Sequence, residues 1–202
     1  MSDTAPQARP STEARRQQIQ DAAATCFRRS GFHGASMAEI AKVANLSVGQ
    51  IYRYFENKEA IIEAIVEQDT EEKRVKFAEF LSAPGDITEH LIDNCVDAID
   101  RFWNPERAAL MLEVLAEAAR NPRVAAILQK RDAEERLLNA EFRQRIRKPE
   151  WSEEETEIRA ELMGMLFEGM AVRSINNPDI DPEKVAPVLK VVMSAIFGVA
   201  RP

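Results

Sequence analysis

Two serines, Ser36 and Ser47, stand eleven positions apart, each at the head of a short apolar-periodic segment, and that spacing admits little except two short helices joined by a tight turn. Ser36-Met37-Ala38-Glu39 has the form of a capping box, in which the serine hydroxyl accepts from a first-turn N–H and the glutamate reaches back to the cap. The helix this predicts covers Met37 to Val43, with Ile40 and Ala41 inward. Ala44-Asn45-Leu46 is long enough only for a turn, and asparagine tolerates the left-handed backbone a turn needs. Ser47 caps a second short helix through Tyr54. Before this pair, residues 12–30 carry Ile19, Ala22, Ala23, Cys26 and Phe27 at helical spacing, with Ser11 or Thr12 as cap and Gly31 as stop. After it, Asn57 caps a long helix from Lys58 to about Leu81, entered by Ile61, Ile62, Ile65 and Val66.

The rest of the chain repeats the helical pattern without any strand-like alternation. Helices are expected at about 87–103, 105–120, 122–147, 152–176 and 182–200, separated by Pro84-Gly85-Asp86, Asn104-Pro105, Asn121-Pro122, Pro149 to Ser152 and Asn177-Pro178. Proline fits a first helical turn but breaks an interior. The expected fold is therefore all-α with about nine helices: a disordered arm at 1–11, a three-helix head at 12–58 and a six-helix body at 59–202. With 45% hydrophobic and 30% charged residues among 202, the balance is that of a globular protein able to bury a core. Cys26 and Cys95 read as small buried hydrophobes rather than a disulfide framework. Residues 1–10 are polar and lack the apolar stretch of a signal peptide. The apolar run Val191 to Ala200 is about half the length a bilayer requires. A cytoplasmic protein with no membrane partner is expected.

Charge is unevenly placed. Residues 1–60 hold eight Lys/Arg against six Asp/Glu, a net +2, while the remainder holds 19 basic against 28 acidic groups, a net −9. A mildly basic head on an acidic body suits a head that meets phosphates. Two short helices joined by a three-residue turn and braced on both sides form the helix-turn-helix plan, in which the second helix puts its first side chains into a major groove. In Val48-Gly49-Gln50-Ile51-Tyr52-Arg53-Tyr54-Phe55, Ile51 and Phe55 anchor inward, leaving Val48, Gly49, Gln50, Arg53 and Tyr54 outward. Gly49 permits close approach, Gln50 can make paired hydrogen bonds to adenine, and Val48 can touch a thymine methyl.

From Arg16 through Ile62 the chain resembles the DNA-binding domain of the TetR/AcrR regulators. The matching residues are Ile19, Ala22-Ala23, Phe27, Gly31-Phe32, Ser36-Met37, Ile40-Ala41, Ala44, Ser47-Val48-Gly49, Ile51-Tyr52-Arg53-Tyr54-Phe55 and Lys58-Glu59. Asn45 stands where the family has glycine. The resemblance implies that Val48, Gly49 and Gln50 face bases, with Met37 assisting. It implies phosphate contacts for Ser36, Tyr52, Tyr54 and Lys58, the last helped by a helix N-terminus. Tyrosines are also ordinary core residues, so for Tyr52 and Tyr54 both readings stand.

For the body, the resemblance implies only an all-helical unit that binds a small ligand and dimerises. Leu162, Met165, Leu166 and Met170 on one of the last two helices, and Val188, Val192, Ala195, Ile196 and Val199 on the other, form the expected dimer seam, the alternative being burial within one subunit. Phe102, Trp103, Met111, Met163 and Phe167 can wall an apolar effector cavity or pack as plain core. Glu113 and Glu117 share a face of an otherwise apolar helix and need a partner, either a cationic ligand or an arginine such as Arg120, Arg123 or Arg131. His33 and His90 have no companions at metal-ligand spacing, so no metal or cofactor is expected. The function this supports is a homodimeric repressor released from a palindromic double-stranded operator by a small hydrophobic effector. The competing class is a helical small-molecule-binding enzyme or carrier with the head as scaffold, against which stands the lack of any Ser/His/Asp set or Gly-rich phosphate loop. A third reading, an adaptor that no longer binds DNA, is opposed by Tyr52, Tyr54 and Lys58.

Overall fold

The computed structural model describes residues 11–82 and 84–200, with the side chains of 98, 101, 138 and 182 left aside. The arm expected at 1–11 thus lies outside the described residues except for Ser11, whose hydroxyl accepts from Ala14 N–H and caps the first helix. Eleven helices and no strand occupy the described residues: α1 (Thr12–Gly34), α2 (Met37–Val43), α3 (Val48–Ile51), α4 (Lys58–Ser82), α5 (Ile87–Asp93), α6 (Cys95–Phe102), α7 (Pro105–Ala118), α8 (Pro122–Leu138), α9 (Ala140–Ile146), α10 (Glu153–Asn176) and α11 (Pro182–Ile196).

Two of the expected body helices are each two. Residues 87–103 divide at Asn94, which has non-helical φ −96° and ψ 22° and folds its amide back onto the His90 carbonyl at 2.8 Å. Residues 122–147 divide at Asn139, where ψ reaches 0°. Asparagine competes for local backbone hydrogen bonds and so interrupts helices that no proline or glycine marks. The recognition segment is also shorter than expected, helical from Val48 to Ile51 and then turn. Gly31 breaks α1 as the sequence implies, at φ 71° and ψ 168°, and one further turn runs on to Gly34. Asn45 has φ 52°, the left-handed turn backbone expected of it.

Two apolar cores form. The first joins α1, α2 and α3 to the opening turns of α4, and draws in Val114 from α7 and Val124 from α8. The second gathers Ile92, Cys95, Ile99, Met163, Leu189, Met193 and Phe197 from α5, α6, α10 and α11, with Phe142 and Ile146 of α9. Both cysteines are buried, one in each core, and burial, reinforced by the Glu39 carboxylate, pushes the Cys26 thiol up from its ordinary value. Such a thiol behaves as a small hydrophobe. α7 packs on α1 and on α10, so it touches both head and body. Packing of the head therefore does not end at residue 58.

Candidate nucleic-acid interface

The helix-turn-helix is assembled from local caps and long-range clamps. Ser36 accepts from Glu39 N–H at 3.1 Å, and Ser47 from Gln50 N–H at 3.2 Å, as the spacing predicts for both serines. The capping box expected at Ser36 is instead complete at Ser47, where the Gln50 side-chain oxygen accepts from Ser47 N–H at 2.8 Å. At Ser36, Glu39 turns away to pair with Arg29.

Three longer links fix the pair of helices against their neighbours. Arg16 donates to the Tyr54 carbonyl at 3.1 Å and lies over the Phe55 ring at 4.4 Å. Gln18 donates to the Ala44 carbonyl at 2.6 Å. Lys58 donates to the carbonyls of Phe32 and, at 2.8 Å, Ala35, with its ammonium 4.4 Å from the Phe32 ring centre. Each supplies donors to carbonyls that short helices and turns leave unsatisfied. Sequence reasoning did not find Arg16 or Gln18; the only signal was two long donor side chains beside the buried face that begins at Ile19.

With the head so held, Val48, Gly49, Gln50, Tyr52 and Arg53 are exposed together, Tyr52 at 54%. A Cβ added at Gly49 would meet no atom within 4 Å, so the start of α3 is open to a close approach. Ser36 is exposed, while Met37, Tyr54 and Lys58 are half-buried, Met37 and Tyr54 packing on the first core. Tyr54 thus takes the role of a partial core aromatic, whereas Tyr52 does not.

The body residues divide differently. Phe102 and Phe167 stack with ring centres 4.8 Å apart and 10° between planes, and Trp103 and Met163 belong to the same core. Met111 is half-buried on α7 and is not among that core's residues. Glu113 and Glu117, offered as ligand contacts, lie instead at the junction of α7 with the end of α1. Glu113 accepts from Phe32 N–H at 2.6 Å. Glu117, 1% exposed, accepts from Arg120 and Asn121, each at 2.9 Å, with the His33 ring nitrogen 3.0 Å away. Arg120, one of the three arginines considered, is the partner; a buried carboxylate holds only with such donors. Among the described residues, no group of three or more His, Cys, Asp or Glu is disposed to hold a metal ion.

Of the expected dimer residues, Leu162, Met165, Val188, Val192 and Ala195 are exposed on α10 and α11, joined by Ile158 and Val191. Leu166, Ile196 and Val199 are half-buried against the second core, and Met170 is buried in it. An open groove of about 570 Å³ runs along this face past Glu155, Ile158, Arg159, Leu162, Ala195 and Ile196. No helix of the described residues is long and apolar enough to cross a membrane.

Known proteins carry the same organisation. Residues 19–65 match the family described as bacterial regulatory proteins, tetR family, and residues 89–198 match the C-terminal part of BetI-type transcriptional repressors. The transcriptional regulator UidR of Escherichia coli K12 is 38% identical over 122 residues, covering 58% of this chain and 60% of UidR. The alignment therefore spans less than two thirds of that relative's length. The transcriptional repressor Rv1474c of Mycobacterium tuberculosis is 25% identical over 190 residues, covering 91% of this chain and 93% of the repressor. The solved structure of Salmonella enterica GusR is 28% identical, covers 91% of this chain and 95% of its own, and superposes with a TM-score of 0.69. With its head and more than half of its length matched in this way, the chain belongs to the TetR family of bacterial regulatory proteins.

Proposed function

We propose that the chain is a homodimeric transcriptional repressor that binds a palindromic double-stranded operator and leaves it when a small hydrophobic effector enters the body. The observation that carries this is the bare start of α3: Val48, Gly49, Gln50, Tyr52 and Arg53 stand together in solvent while Ile51 and Phe55 of the same segment are buried in the first core. An apolar side chain such as Val48 at the opening of a recognition helix suits a thymine methyl, and its polar neighbours suit base edges and phosphates. In this reading Tyr52, Tyr54, Ser36 and Lys58 meet phosphates, Met37 supports the base-facing residues, and Arg53 lies along the backbone. The exposed apolar strip of α10 and α11 pairs with its copy, setting two heads one helical turn of DNA apart. The effector site is proposed at the Phe102–Phe167 stack with Trp103 and Met163, without metal, cofactor or catalysis. The setting is the cytoplasm, where the operator is found.

The deciding experiment is a titration of the upstream DNA of the chain's own gene against a scrambled duplex at several salt concentrations. Tight, steeply salt-dependent binding to one and not the other is the expected result. Equal binding to both duplexes would remove the operator reading.

A further inference from the structure

The head holds its arginines in two ways. Arg28 and Arg29, late in α1, face carboxylates, Glu106 at 3.9 Å and Glu39 respectively. Arg16, in the second turn of the same helix, has no carboxylate partner among the described residues. Its guanidinium lies over the Phe55 ring at 4.4 Å, and one N–H donates to the Tyr54 carbonyl at 3.1 Å. A guanidinium carries its N–H donors in a rigid fork, so that single bond leaves most of them free. The stack and the bond together fix the plane of a half-buried cation.

Its place is at the end of the recognition segment. Tyr54 and Phe55 follow directly on the exposed Tyr52 and Arg53, and Gln50 stands four residues before the carbonyl that Arg16 holds. At about 1.5 Å per residue that is roughly 6 Å. The major groove is about 12 Å wide, so a group about 6 Å from side chains at its middle stands at the groove wall, where the phosphates run. Phosphate oxygens match the spacing of a guanidinium fork, and a fork already fixed by the protein loses little freedom in binding them.

Resting on the operator-binding reading above, we propose that Arg16 is a DNA-backbone contact, gripping one phosphate per subunit at the wall of the groove that α3 enters. The guanidinium then serves twice, since the group that holds the phosphate also holds the end of the recognition segment. Such a contact sets the register of α3 on the duplex and reads no base.

The test compares wild type, Arg16→Gln and Arg28→Gln in titrations of the upstream DNA of the chain's own gene between about 50 and 200 mM salt, with urea unfolding alongside. Glutamine at position 16 removes the charge and keeps an amide N–H. Arg28 lies about 18 Å further along α1, beyond the screening length of about 10 Å at 0.1 M salt, so Arg28→Gln removes the same charge away from the contact. Arg16→Gln should lower the slope of log affinity against log salt by about two units per dimer, one for each subunit. Its deficit against wild type should therefore shrink about tenfold across that salt range. Arg28→Gln should keep the wild-type slope. A weaker Arg16→Gln with the wild-type slope would overturn the proposal and leave Arg16 as a clamp for Tyr54 alone. If Arg16→Gln does not fold, labelling of wild type with phenylglyoxal, which reacts with guanidinium groups, decides in its place. The duplex should protect Arg16, as read by peptide mass spectrometry, and equal labelling with and without DNA overturns the assignment. Equal affinity of wild type for this duplex and a scrambled one removes the operator reading, a different failure, and the slope comparison on either duplex still decides Arg16.

Discussion

The ammonium of Lys58 is turned toward the carbonyls of Phe32 and Ala35, leaving one of its three N–H donors for a phosphate. Lys58→Ala is therefore expected to act twice. It should lower stability by about 1–3 kcal/mol, because two half-buried carbonyls lose their donor, and it should weaken DNA binding. Tyr52→Phe, at an exposed side chain, should weaken every DNA sequence alike by about 1 kcal/mol and leave stability unchanged. Urea unfolding alongside DNA titration separates the two, and a melting change in Tyr52→Phe would contradict this division. Asp86, the cap of α5, has its carboxyl held below the ordinary aspartate range, first by the Thr88 hydroxyl and then by the N–H groups of Glu89 and Thr88. A lowered folded pKa means that the contribution is present above the unfolded value near pH ~3.9 and fades as pH falls through the folded one. Asp86→Asn should flatten the acid limb of the stability–pH curve below about pH 4 while changing little at pH 7, as asparagine also caps well; an unaltered acid limb would refute it. At this scale Ser36, Ser47 and Asn45 were legible because their partners lie within three or four residues. Arg16 was not, since its acceptor is 38 positions away.

Among elements, the sequence announced every break made by proline and missed both made by asparagine alone. Asn94 and Asn139 carry no proline or glycine beside them, and a 3.6-residue pattern runs through both unaltered. The glutamates of α7 were legible as carboxylates in need of donors, and Arg120 as one possible donor. Their place was not, because it depends on α1 ending against α7 some eighty residues away. Glu117→Ala should destabilise the protein by about 2 kcal/mol in urea unfolding. The figure stays modest because Arg120 and His33 reach solvent and keep their hydration, so the loss falls on Asn121 and the vacated volume. No loss at all would mean that the Glu117 carboxylate adds nothing to the junction of α1 and α7, leaving it to Glu113 and apolar packing.

For the whole molecule, the exposed strip of Leu162, Met165, Val188, Val191 and Val192 is large for a single subunit to leave in water. Val192→Asp should give monomers by analytical ultracentrifugation, since a charge in an apolar seam has no partner. Ile196→Asp is a poorer probe, being half-buried in its own subunit's core and able to unfold it. A soluble Val192→Asp dimer would place the seam elsewhere. Fold class and the order of head and body were readable from periodicity and caps, which are local. Which helices share a core was not, because α7 and α8 return to the head only after the chain has passed through α5 and α6. That return has a practical consequence for anyone building hybrid regulators. A graft cut at residue 58 would carry away Ile19, Phe27 and Ile40 but leave behind Ile61, Ile62, Val66, Val114 and Val124, which complete the same core. On the operator-binding reading proposed above, DNA specificity is therefore better moved by exchanging the handful of solvent-facing positions around α3 than by exchanging the head.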